Sequence, residues 1–270
     1  MPSFINTNIE SVNTQRNLNS SQGALATSMQ RLSSGLRVNS SKDDASGLAI
    51  ASRMESQIRG ANQAVRNAND GISLAQTAEG ALGNIQRNLA RMRELAVQGA
   101  NATSSANVAE INSEFTQLNA ENMRVIQSTR FNGIALLTGP VHQTFQVGAN
   151  SEHGVDDITI DTPTGFNPTS TTLGETTASA MAEIPKLDAD IATANNLRTN
   201  FGAAQSRFES IISTLQVAAE NQTASRSRIM DADYAAETAS LTRAQVLQQA
   251  GTAMATQANR SPQEVVSLLR

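Results

Sequence analysis

Apolar residues recur at intervals of three and four over most of the chain. Near the start, Ile5, Ile9 and Val12 form one set. Leu25, Met29, Leu32 and Leu36 form a second at spacings of 4, 3 and 4, the signature of an amphipathic helix. From about residue 45 to 99 the pattern runs without pause: Ile58, Ala61, Val65, Ala68, Ile72 and Ala75, then Leu82, Ile85, Leu89, Met92 and Ala96. A helix of that length exceeds the ordinary globular range and points to coiled-coil-like packing, with the Ala positions allowing close approach of a neighbour. A further helix is predicted over roughly 106–128, with Val108, Ile111, Phe115, Leu118 and Val125 on its apolar face. A third long helix is expected to begin near Pro185, since proline suits a first helical turn. Leu187, Ile191, Ala194, Phe201, Phe208, Ile212, Leu215 and Ala219 give it heptad-like spacing, interrupted by Arg198 and Gln205. The last helix, about 225–268, carries a thin stripe of Leu241, Leu247, Ala250, Met254 and Ala258.

Between these stretches the punctuation is clear. RLSSGLRVNSSKDDASGLAIASRM (31–54) holds Gly35, Val38, Asn39, Ser40, Ser41, Asp43, Asp44 and Gly47, all poor helix formers. Asp43 and Asp44 precede an apolar run, where carboxylates favour a helix start. RFNGIALLTG (130–139) predicts a turn leading into a short strand. TFQV (144–147) and DITI (157–160) predict a hairpin around GANSEHGVDD. Residues 162–177, rich in Thr, Pro and Gly, read as a loop. The fold class is therefore mainly α: a long coiled-coil-like bundle built from the N- and C-terminal halves, with a small β-hairpin region. Three parts are expected: terminal helices 1–44 with 223–270, a helical rod 45–139 with 178–222, and a short β/loop region 140–177.

Composition sharpens this. Aromatics are 3% of 270 residues, with one Tyr and no Trp. That is too few rings for the thick core of a compact enzyme, because each ring buries so much area. Cys is absent, which excludes disulfides, thiolate metal sites and Cys nucleophiles. No run of 18 apolar residues supports a membrane helix, and the first twenty residues lack the basic and apolar regions of a secretory signal. Net charge is −4, yet residues 1–44 hold four bases and three acids and residues 223–270 five bases and four acids. No basic stripe suits a nucleic acid, and the nearly neutral ends can pack against copies of themselves. Each terminal helix has a narrow apolar face and would be marginal alone, since tertiary packing normally supplies most helix stability. Pairing with each other and with neighbouring molecules repairs this, which predicts ends that gain order on assembly.

INTNIESVNTQRNL, RLSSGLRVNSSKDDASGLAIASRM, MRELAVQGAN, RFNG and FQVGAN occur in that order. SRFESIISTLQ, SRIMDADYAAETASLTRAQVLQQAGTAMATQAN and the final SLLR follow. Together they strongly resemble bacterial flagellin, the subunit of the flagellar filament, over roughly 1–139 and 178–270. The resemblance implies an inner domain made from both terminal helices, an outer helical rod, and a short form lacking the variable outer domains. It implies a secreted, extracellular protein that polymerises for motility, with residues 37–47 connecting inner and outer domains. It also implies a flagellar export chaperone, a cap protein and hook-junction proteins as partners. Arg91, Leu95 and Glu114 match family positions that contact Toll-like receptor 5, an innate immune receptor. Arg91 and an exposed Leu95, four apart, would share one helical face. The expected assembly core is Ile5, Ile9, Val12, Leu25, Met29, Leu32, Leu247, Met254, Leu268, Leu269 and Arg270.

No catalytic residues, cofactor, metal site or membrane contact is expected. Glu152, His153, Asp156 and Asp157 match no strong zinc spacing and read as a solvated hairpin tip. Neither HExxH, GxSxG nor a P-loop occurs. Asp231, Asp233 and Tyr234 read as capping and packing residues at a helix start. The rival readings are a hook–filament junction protein and a flagellin-like cell-surface glycan-binding protein. The first shares the terminal helices but fits RMRELAVQGAN and AQVLQQAG less well. The second lacks the aromatic side chains of a sugar platform.

Overall fold

The computed structural model describes residues 7–101, 107–150, 152, 154–162 and 165–267, with side chains described through residue 260. Five helices and two small antiparallel sheets are found there: α1 (Ile9–Ser34), α2 (Ala45–Gly99), α3 (Val108–Ser128), β1 (Arg130–Phe131), β2 (Ile134–Ala135), β3 (Val141–Gln146), β4 (Asp157–Thr162), α4 (Thr177–Met230) and α5 (Tyr234–Ser267). Contacts divide the chain into two compact units, Met1–Ser56 with Asn221–Arg270, and Gln57–Glu220. The division falls inside α2 and inside α4.

The second unit holds the main core. Along α2, Ala68, Ala75, Ala78, Leu82, Ile85, Leu89, Met92 and Ala96 are fully buried. Along α4, Leu187, Ala194, Phe201 and Phe208 are buried at a strict seven-residue interval, the repeat that keeps one face of a helix turned to its partner. Arg198 and Gln205, which interrupt that stripe in the sequence, are accommodated by a polar link across the helices. Arg198 donates to Gln86 and lies 3.4 Å from Glu79, and Gln205 donates to Glu79 at 3.0 Å. Ile111 and Phe115 of α3 close the same core.

The RFNG turn is a two-residue hairpin. Asn132 and Gly133 both have positive φ, 48° and 81°, which Asn-Gly accepts at little cost and which matches the twist of the flanking strands. The β3–β4 hairpin pairs Val141 with Thr162 through Gln146 with Asp157, so β3 begins three residues before the expected TFQV. At its turn, Asp156 accepts from the Glu152 N–H at 3.2 Å and Asp157 from the Gly154 N–H. These carboxylates cap backbone donors; His153 lies outside the described residues.

Residues 165–176 are irregular, as expected, yet they are not solvated throughout. Phe166, Ser170 and Leu173 are buried. Buried Asp190 of α4 accepts from the N–H groups of Thr169 and Ser170 and from the Thr169 hydroxyl. This pinning corrects the expected start of α4. The helix begins at Thr177 rather than near Pro185, and Pro185 sits inside it. An interior proline removes one hydrogen bond and crowds the preceding turn. Ala180 and Leu187, both fully buried, hold the helical path on either side of it. Thr176 and Ser179 exchange side-chain to backbone hydrogen bonds at the start, a reciprocal cap.

The first unit contains the breaker. α1 stops at Gly35, whose φ of 71° is left-handed and whose N–H reaches the Arg31 carbonyl at 2.8 Å. Arg37 N–H donates to Met230 O and Ala232 N–H to Gly35 O. Val38 buries itself against Ala51 and Met230. The segment 37–47, expected to connect two domains, therefore lies within the first unit, tied to the junction of α4 and α5. Asp43 accepts from Ser40 and Asn39 N–H groups, and Asp44 caps α2 by accepting from the Gly47 N–H at 2.8 Å. Hydrogen bonding from Ser40 holds the Asp43 carboxyl below its ordinary 3.8, and the Gly47 N–H does the same for Asp44. Groups with depressed folded values contribute their stabilisation above the unfolded value and lose it as pH falls through the folded one. Protection of the 39–47 amides, taken relative to their intrinsic exchange rate at each pH, should therefore hold at pH 5 and be lost well below 3.8, ahead of protection in the α2–α4 core. Unchanged protection across that window would refute the role given to the two carboxylates.

α4 ends at Met230 and α5 starts at Tyr234, so the expected helix start near 225 is corrected. Asp233 accepts from the N–H groups of Ala235 and Ala236, and the Tyr234 hydroxyl donates to Leu32 O. The break is made by this cap, not by any loss of periodicity.

Candidate assembly interface

α1 and α5 run antiparallel. Asn8 donates to Ala258 O at 2.6 Å and the Ser11 hydroxyl to Asn259 at 2.7 Å at one end. Arg31 faces Glu237 at 3.7 Å at the other. The seam between them is a heptad pattern on both helices. On α1 it is Ser11, Thr14, Leu18, Ser21, Leu25, Ser28 and Leu32; on α5 it is Glu237, Leu241, Ala244, Gln248, Gly251, Ala255 and Ala258. All are buried or half-buried. A Cβ at Gly251 would lie 3.3 Å from Leu18 Cδ1, so leucines of α1 sit over small residues of α5 and the backbones approach closely.

This seam divides the apolar sets that spacing defines. Ile9, Val12 and Met29 of α1 and Leu247 and Met254 of α5 point away from it, with Ile9 63%, Met29 58% and Met254 61% exposed. Ala250 is exposed as well. Leu25 and Leu32 are the members of the expected assembly core that the seam half-buries, together with Leu241 of the predicted α5 stripe, whose Ala258 is buried. Ile5, Leu268, Leu269 and Arg270 lie outside the described residues. Apolar spacing by itself does not point to Ser11, Ser28, Ala244 and Gly251 as seam residues. The signal was present in the sequence as small residues at a seven-residue interval on α5: Ala244, Gly251 and Ala258.

The result is a two-helix coil that sets leucines over small residues on its own seam and leaves Ile9, Val12, Met29, Leu247 and Met254 in water. Leu247 and Met254, seven apart, share one flank of α5. A monomer gains nothing from that arrangement, since each such side chain taken out of water is worth about 1.5–3 kcal/mol.

The matched receptor positions lie on α2 and α3 in the second unit. Arg91 Nε is 2.9 Å from Glu114 and its Nη1 is 3.1 Å from Glu94. Both acids hold the guanidinium more firmly protonated, Glu114 most. Leu95 does not join them at the surface. It is 2% exposed and belongs to the core cluster, because Met92, Leu95 and Ala96 all fall on the inward face of α2. The expectation of an exposed Leu95 beside Arg91 is therefore corrected. Leu95→Ala should cost about 2–5 kcal/mol in denaturant melts of the second unit. Arg91→Ala, which removes only surface ion pairs, should change stability by less than about 1 kcal/mol. Equal melting of the two variants would contradict this placement.

A mainly helical chain whose paired terminal helices carry exposed apolar flanks falls in the class of self-associating helical subunits. Comparison with known proteins gives the particular family. Residues 5–141 match the bacterial flagellin N-terminal helical region and residues 184–269 the bacterial flagellin C-terminal helical region. A flagellin of Halalkalibacterium halodurans is 43% identical over 273 aligned positions, covering 99% of this chain and 100% of that one. A flagellin of Xenorhabdus nematophila is 39% identical, covering 100% of both. The crystal structure of Bacillus cereus flagellin is 31% identical with a TM-score of 0.46, covering 56% of this chain and 88% of that one. The chain belongs to the bacterial flagellin family and is a structural subunit of the flagellar filament.

Proposed function

We propose that copies of this chain join through the outward apolar flanks of the α1/α5 coil, and that this contact drives filament growth outside the cell. The observation that carries the reading is the exposed flank of that coil, with Ile9, Val12, Met29, Leu247 and Met254 standing outside a seam of Leu, Ser, Ala and Gly. The contact is heterologous, because a filament repeats one head-to-tail interface without closing. Before assembly the same flanks need cover, which a flagellar export chaperone supplies inside the cell. Cap and hook-junction proteins then receive the same helices at the filament's two ends. Arg91 and Glu114, joined as a surface ion pair, are the part of the receptor-matched set that an innate immune receptor can touch. Leu95 acts by holding their helix in place.

Seeded growth tests the reading. Purified chain is mixed with short filament fragments and elongation is followed by light scattering and electron microscopy. Leu247→Ser with Met254→Ser removes two exposed side chains and should leave the monomer's helical content unchanged while lowering elongation at least about tenfold, as loss of roughly 1.4 kcal/mol or more of contact requires. Elongation at the unmodified rate would sink the proposal.

A further inference from the structure

The flank of the α1/α5 coil carries a groove of about 280 Å³, lined by Ser20, Ser21, Ala24 and Ser28 of α1 and by Ser240, Arg243, Ala244 and Leu247 of α5. Its floor is small and its rim is one cation and one apolar side chain. Among the described residues, Arg243 makes no hydrogen bond or ion pair with any other side chain of the molecule. The carboxylates of the coil are as informative. Glu237 is nearly buried and faces Arg31. Glu10, in the first turn of α1, has no side-chain partner among the described residues and stands beside Ile9, which is 63% exposed. One end of the coil thus presents an acid and a large apolar side chain, while its middle presents a base and a hollow of small residues.

We infer that the first turn of α1 from a second copy seats in this groove, with Ile9 over the Ser and Ala floor and Glu10 paired to Arg243. The inference rests on the reading that copies meet along the α1/α5 coil and specifies the contact. Several features favour a second copy as the occupant. The acid and the base are complementary, both are unpaired in the isolated chain, and the groove is continuous with the exposed Leu247–Met254 flank. The two halves cannot meet within one molecule. The register that sets Leu18 against Gly251 places Arg243 level with residues near Leu25, about fifteen residues from Glu10. At about 1.5 Å per residue that is an offset of about 22 Å. Between copies that run parallel, this contact is staggered by that offset, and its repetition builds a line of copies, as a filament requires; antiparallel copies would make it twice and close a dimer.

The experiment is a charge swap in the full-length chain, read by seeded elongation. Arg243→Glu and Glu10→Arg are prepared singly and together, with circular dichroism confirming unchanged helical content. Each single variant juxtaposes like charges and should slow elongation on the order of tenfold or more, with the deficit of the double variant largely recovered. The unmodified chain's elongation should fall with added salt, since a rim ion pair is screened. Arg243→Glu elongating like the unmodified chain would overturn the groove contact and leave the filament reading intact. Both singles impaired without recovery in the double would also overturn it, by assigning Arg243 a different occupant. Failure of the unmodified chain to extend any seed would remove the filament reading itself.

Discussion

A chain lacking residues 1–44 and 224–270 will remain folded and will not extend filament seeds, while the full chain will. The physical basis is the separation of tasks between the two compact units. All of the large core, from Ala68 to Phe208, lies within residues the truncation keeps. Helical content per residue and the cooperative melt of that core should therefore survive. What is removed is the α1/α5 coil with its outward Ile9, Val12, Met29, Leu247 and Met254, and with it the apolar area that assembly would bury. Electron microscopy of seeded reactions, with parallel thermal melts, reads both halves of the expectation. Filaments from the truncated chain would show that the main contacts lie in the second unit. Loss of its cooperative melt would show that the two units do not fold independently.

The second large effect concerns the core itself. Phe208 is fully buried, meets Phe145 of the hairpin edge-on at 5.5 Å and 85°, and lies against Gly71, where a Cβ would come within 2.6 Å of its ring. Three elements converge on one side chain. Phe208→Ala should lower the stability of the second unit by about 3–5 kcal/mol, the cost of removing a ring and leaving a cavity that rigid neighbours cannot fill. Denaturant unfolding followed by circular dichroism measures it. Exposed Val217 of the same helix serves as a control: Val217→Ala should change stability by no more than about 0.5 kcal/mol. A cost below about 1 kcal/mol at Phe208 would mean the hairpin and helices repack freely, contrary to the interlocked arrangement described.

Much of this architecture is written locally. The span of α2 follows from an unbroken three-and-four periodicity ended by Gly99, and its start from Asp44 as a cap. Leu187, Ala194, Phe201 and Phe208 announce their buried face at every seventh residue. Gly35 and Asn132-Gly133 mark turns because their backbones need positive φ, which few other residues accept. The motifs at both ends, from INTNIESVNTQRNL to the Ala- and Gln-rich GTAMATQAN, carry the family. Each of these signals depends only on a residue and its near neighbours in the chain.

Other features depend on what lies across a gap, and one sequence stretch cannot supply that. Pro185 reads as a helix start, and only the anchoring of Ala180, Leu187 and Asp190 makes it an interior residue. The end of α4 at Met230 is set by hydrogen bonds to residues 35–37, nearly two hundred positions away. Leu95 looks like a partner for Arg91 because the two are four apart, yet a slight rotation of the helix puts one in the core and the other in water. Most of all, spacing alone groups Met29 with Leu25 and Leu32 on α1, and Met254 with Leu241 and Ala258 on α5. The α1/α5 seam sets Leu18, Leu25 and Leu32 of α1 with the small Ser28, Ala244 and Gly251, and leaves Met29 and Met254 exposed. Periodicity fixes which residues share a face; the partner's shape decides which face is buried.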